Sequence, residues 1–126
     1  MIAREQVTFT AKGDNFRPSM VGAPYSKARD PGVIGQRGRY IGVPIPYGVA
    51  DFDAPEEGKE KITYLHGLVT PFLSALRLAG AEEFQLHITY QYEYQCGLAF
   101  SKEETRMIVE MDCDLIIDCW TALPES

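Results

Sequence analysis

The sequence predicts a single α+β domain, a mixed β-sheet with helices packed on one face and a C-terminal right-handed βαβ unit. Three observations carry this. The length of 126 residues suits one compact domain and leaves no room for a second. The apolar period changes along the chain, from two over residues 6–11 and 84–96 to the helical spacing over residues 62–76. A strand–helix–strand pattern then closes the chain over residues 84–120, which requires parallel strands and a right-handed crossover.

Residues 6–11 alternate, with Val7, Phe9 and Ala11 on one face and Gln6, Thr8 and Thr10 on the other, as a half-buried strand does. Gly13-Asp14-Asn15 turns the chain, and Pro18 suits the first turn of a short helix through Val21, closed by Gly22. From Gly22 to Gly48, 10 of 27 residues are Gly or Pro, so no long helix fits there. Residues 23–48 read as a Gly/Pro-rich loop or edge-strand region, with Tyr40–Val43 and Tyr47–Val49 as candidate short edge strands.

Ile62, Leu65, Leu68, Val69, Phe72, Leu73 and Leu76 share one helical face, and Gly80 is placed to end it. Pro71 removes a hydrogen bond and crowds the carbonyl of Gly67, which predicts a kink or two shorter helices. Phe84, Leu86, Ile88, Tyr90, Tyr92, Tyr94 and Cys96 then alternate with polar residues for thirteen positions. Ser101-Lys102-Glu103-Glu104 reads as a capping box opening a helix through Met107, Ile108 and Met111. Cys113, Leu115, Ile117 and Cys119 complete a last strand, expected to be buried, with Asp112, Asp114 and Asp118 on its reverse face.

Apolar residues make up 45% and charged residues 24%, close to the globular average, which excludes a disordered or fibrous chain. No apolar run at the N-terminus reads as a secretory signal, and no stretch approaches eighteen apolar residues, so no membrane span is expected. Three sparse cysteines fit reduced thiols and a cytoplasmic location. The net charge of −6 opposes nucleic-acid and anionic-membrane binding. That charge is unevenly spread. Residues 1–50 carry seven basic and three acidic side chains, net +4; residues 51–126 carry five and fifteen, net −10.

No motif names a reaction. His66 and His87 sit on different elements without the soft-ligand spacing zinc needs. Asp51/Asp53 and Asp112/Asp114 each place two carboxylates on one strand face, either as weak divalent-cation ligands or, more simply, as solvated acidic edges. The cysteines lie in apolar strand faces, where burial raises the thiol pKa and makes it inert. Gly32-Val33-Ile34-Gly35-Gln36-Arg37-Gly38-Arg39 has the glycines and arginines to cradle an anion, though a plain flexible loop accounts for it as well. No cofactor is expected.

Leu86-His-Ile-Thr-Tyr-Gln-Tyr, Gly97-Leu98-Ala99-Phe100-Ser101-Lys-Glu-Glu and Met111-Asp-Cys-Asp-Leu-Ile-Ile-Asp118-Cys together resemble the bacterial domain-of-unknown-function family 4279. Gly13-Asp14-Asn15-Phe16-Arg17-Pro18, followed by Gly22-Ala23-Pro24, is similar to that family's opening. Residues 25–54 depart from it, lacking a tryptophan and a Lys-Gly pair. The resemblance implies an α+β domain and carries over no catalytic residue.

The expected function is a non-enzymatic protein-binding domain for a basic partner, in its concrete form an immunity or antitoxin-like neutraliser. Candidate interaction residues are Tyr92, Glu93 and Tyr94 at the end of the long strand, Asp112, Asp114 and Asp118 on the last strand, and Arg37 and Arg39 in the loop. A second copy of the chain is the alternative partner for the tyrosines. The rival is a small enzyme or ligand-binding domain using the Gly/Arg loop together with the acidic strand edge. Nucleic-acid binding through Arg17, Lys27, Arg29, Arg37 and Arg39 with Tyr25 and Tyr40 is a third reading, which the overall charge opposes.

Overall fold

The N-terminal alternation runs further than its apolar residues alone suggest, because both flanks find partner strands. A computed structural model of the chain describes residues 2–56, 60–92 and 98–121. Strand β1, Ile2–Gly13, lies at the centre of a five-stranded sheet. Its neighbours are β3, Gly48–Asp53, and β4, Glu83–Tyr92, both antiparallel to it. A three-residue edge strand, β2, Lys27–Arg29, pairs with β3, and β5, Asp114–Thr121, pairs parallel with β4 at the other edge. The order is β2-β3-β1-β4-β5.

Val7, Phe9 and Ala11 meet Ala50 and Phe52 of β3 and Phe84, Leu86, Ile88 and Tyr90 of β4 on one buried face. The reverse face is polar, and its side chains bond along the sheet. Thr8 Oγ1 donates to Asp53 at 2.7 Å, and Thr10 Oγ1 to Asp51 at 2.8 Å. His87 and Gln85 are 3.0 Å apart between ring nitrogen and carboxamide oxygen.

The helical segment divides at Pro71 as its sequence predicts. Helix α1, Lys61–Val69, passes through a 3₁₀ turn, Thr70–Phe72, into α2, Leu73–Leu78. Ile62, Leu65, Val69 and Leu76 are buried against the sheet. Lys61, at the start of α1, is buried too, and its ammonium donates to the carbonyl of Glu5 on β1. Gly80 closes the segment at φ +109°, a conformation that L side chains rarely adopt. Helix α3, Lys102–Glu110, opens with the predicted capping box. The amide of Glu104 donates to Ser101 Oγ at 3.0 Å, and the amide of Ser101 donates to Glu104 Oε1 at 2.9 Å.

The Gly/Pro-rich segment differs from the expectation in three ways. Gly48 and Val49 belong to a strand, but an internal one, and Tyr47 lies just before it. At Gly48 an added Cβ would stand 1.8 Å from the carbonyl oxygen of Phe16, so only glycine lets that strand pass. Tyr40–Val43 forms no strand; Gly38–Tyr40 is a single 3₁₀ turn, and only isolated bridges, Ile34 with Pro44 and Gly35 with Ile41, follow. The loop is also built rather than plain. Amide-to-carbonyl bonds run from Gly32 to Ile45, Ile45 to Val33, Gly35 to Val43 and Gly42 to Gly35. Gly38 and Gly42 take positive φ to turn it.

The last strand brings a further correction. Leu115 and Ile117 point to the helical side, in register with Leu86 and Ile88, yet they are 39% and 37% exposed. Nine residues make α3 only about 14 Å long. It packs on α1, and the apolar side chains of β5 stay largely uncovered. Cys119, expected in a buried face, is exposed for the same reason. The long alternating strand is described as far as Tyr92; Glu93, Tyr94 and Cys96 lie outside the described residues.

Candidate functional site

The strand order turns a charge asymmetry along the chain into one across the sheet. The basic strand β2 and the acidic strand β5 occupy opposite edges. Four inter-strand spacings separate them, roughly 19 Å. Arg37 and Arg39, in the loop that follows β2, are therefore not brought together with Asp112, Asp114 and Asp118. A site combining the Gly/Arg loop with the acidic edge has no geometric basis here.

The β5 edge is the more developed surface. Among the described residues no strand pairs on its outer side, so alternate amides and carbonyls along eight residues face outward. Its helical side presents Leu115 and Ile117, and its reverse side presents Asp114, Asp118 and the half-exposed indole of Trp120. Asp112 sits in the turn before it, at φ 51°, and pairs with Arg77 of α2. On α3, Arg106 bridges Glu103 and Glu110, and Glu110 also meets His66 of α1 at 3.0 Å. Asp114 and Asp118 have no such cation beside them among the described residues. Tyr92 is half-buried where β4 meets the ends of β1 and β5.

Cys113 is half-buried just before β5, and its thiol faces the carbonyl of Ile108 at 3.6 Å. Burial, reinforced by Asp114 and Asp112, pushes this thiol up to about 11. It is a poor nucleophile at neutral pH, as an apolar site dictates. Among the described residues no group of three or more His, Cys, Asp or Glu side chains converges on a point that would hold a metal ion. Asp51 and Asp53 are instead occupied by the two threonines of β1.

A cluster toward the opposite edge, Tyr47 with Lys12 and Arg29, escaped sequence reasoning. Tyr47 carries Lys12 Nζ at 4.8 Å and the Arg29 guanidinium at 5.3 Å from its ring centre. Lys12 and Arg29 flank Val49 in one row across β1, β3 and β2. Only the register reveals this, because the three residues are far apart in the chain.

Comparison with protein-family models, curated proteins and solved structures finds no match to this chain. The functional reading rests on the site alone.

Proposed function

We propose that the domain is a non-enzymatic protein-binding module whose partner is a basic protein that docks on the β5 edge. The supporting observation is the alternation of that strand, with Leu115 and Ile117 toward the helices and Asp114 and Asp118 beside Ile116 and Trp120 on the reverse, along an edge that no strand pairs among the described residues. An extended segment added beside β5 would gain main-chain hydrogen bonds, with specificity supplied by alternate side chains. Apolar residues opposite Leu115 and Ile117 and Lys or Arg opposite Asp114 and Asp118 complement it. Trp120 supplies the aromatic surface common at interface hot spots.

Charge disfavours the second copy as occupant. Two β5 strands pairing antiparallel about Ile116 would set Asp114 against Asp118 twice, and like charges directly opposite destabilise a sheet. Edge carboxylates are a common device against self-pairing. In the immunity or antitoxin-like version, the acidic edge neutralises a cationic partner, and steering by opposite charge speeds their encounter.

Immobilised wild-type domain and a D114K/D118K variant, each exposed to lysate of the source cell, test the reading. The expected result is a basic protein retained by the wild type and lost from the variant. With that protein purified, its association rate should fall about tenfold or more between low and high salt, as screening shortens the reach of exposed charge. Equal retention by both forms, or a salt-independent rate, would contradict it.

A further inference from the structure

The basic edge carries a site of its own. A cavity of about 260 Å³ opens beside β2, lined by Arg29, Val33, Ile34, Gly35, Gln36, Arg37 and Ile45. Two arginines and one glutamine are among its lining residues, and no Asp or Glu is. This sets these arginines apart from three others: Arg4 pairs with Glu56, Arg77 with Asp112, and Arg106 with Glu103 and Glu110. Among the described residues, Arg29 and Arg37 have no salt bridge.

The carboxylates near Arg29 hydrogen-bond elsewhere and form no ion pair with it among the described residues. Asp30 accepts from both the amide and the hydroxyl of Ser19, and these bonds hold its carboxyl below the usual range. Asp51 accepts from Thr10. The Tyr47 ring holds the Arg29 guanidinium in place by a cation–π contact, which orients a cation without neutralising it. The Nε of Arg29 is buried and has no hydrogen-bond partner among the described residues. That nitrogen is closed to solvent, so it marks a guanidinium with donors left unpaired by the protein and is not itself the atom that meets a ligand.

We propose that this cavity binds a phosphate monoester, with Arg29 and Arg37 as its ligands. Two arginine charges match the −1.5 to −2 that a phosphate monoester carries near pH 7, whereas a carboxylate would compensate only one. The planar fork of arginine suits tetrahedral oxyanions. The volume lies just under the roughly 300–1,000 Å³ of drug-sized sites. It therefore takes the phosphate and a small substituent, for which Val33, Ile34 and Ile45 provide the apolar wall. The loop meets the ligand already shaped, since its own backbone bonds close it.

Titration calorimetry and amide chemical shifts test this on the full chain, with inorganic phosphate, phenyl phosphate and benzoate as probes in low-salt buffer. The expected result is saturable binding of phosphate and phenyl phosphate, with shifts concentrated in residues 29–45, and weaker binding of benzoate. Arg37 is exposed, so R37Q should fold normally and lose about tenfold or more in phosphate affinity, as loss of a charge-assisted hydrogen bond dictates. R106Q, on α3, should bind as the wild type does. The proposal is overturned if phosphate up to about tens of millimolar gives no saturable shift, a far weaker range than a two-arginine site implies. Benzoate binding as tightly as phenyl phosphate, or undiminished binding by a folded R37Q, would overturn it equally.

Discussion

Leu86 and Leu115 stand directly opposite each other on adjacent parallel strands and point to the same face, yet their truncations should differ sharply. Leucine to alanine removes three carbons, worth about 0.8 kcal/mol each when fully buried. Leu86 is fully buried, so Leu86→Ala loses about 2.4 kcal/mol of transfer energy and leaves a dry cavity. With the cavity included, the cost should reach about 3–4 kcal/mol. Leu115 is 39% exposed, which scales the transfer loss to about 1.5 kcal/mol. Water fills the space it leaves, so no cavity cost is added. Urea melts of the two variants measure the difference directly, and an unchanged slope would confirm that neither alters the compactness of the unfolded state. Equal costs above about 3 kcal/mol would refute the reasoning. They would show β5 roofed by the helical layer and remove the apolar half of the proposed docking edge.

Three further outcomes follow from local structure. Ser101→Ala breaks the capping box of α3 and should cost about 1 kcal/mol in the same melts, whereas Ser101→Asp should restore most of it. The Cys113 thiol is raised in the folded state to about 11, so the stability it contributes is complete below the ordinary thiol range and is lost as pH climbs through 11. Cys113→Ser should flatten that alkaline decline, and iodoacetamide at pH 8 should modify Cys119 well before Cys113, as peptide mapping would report. Gly48→Ala drives a Cβ into the Phe16 carbonyl and should lower stability by more than about 2 kcal/mol, or prevent folding, as thermal melts and expression would show.

Much of this architecture is legible from residue patterns because it rests on local rules. The capping box, the break at Pro71 and the alternation of Phe84 to Tyr90 depend on neighbours in the chain, and each appears where its spacing puts it. Strand β3 hides among glycines and prolines, because Gly48 is selected by close approach to Phe16 and not by strand propensity. Strand β2 has only three residues, too few for a period to show. Alternation in β5 tells which side chains share a face, but whether anything covers that face depends on the length and lean of α3. The charge asymmetry is plain in the chain. Its meaning requires the strand order, which sets the basic and acidic halves at opposite edges and separates Arg37 and Arg39 from Asp114 and Asp118. The cavity between Arg29 and Arg37 likewise appears only when the loop closes on itself.

The docking claim is tested most directly by hydrogen exchange on the domain with and without its captured basic partner. Outward-facing amides of an unpaired edge strand exchange quickly, and an added strand slows them. The account predicts new protection concentrated in residues 114–121 when the partner binds, with β2 and its loop unchanged. Protection appearing at residues 27–45 or on α1, with β5 exchanging as fast as before, would contradict it.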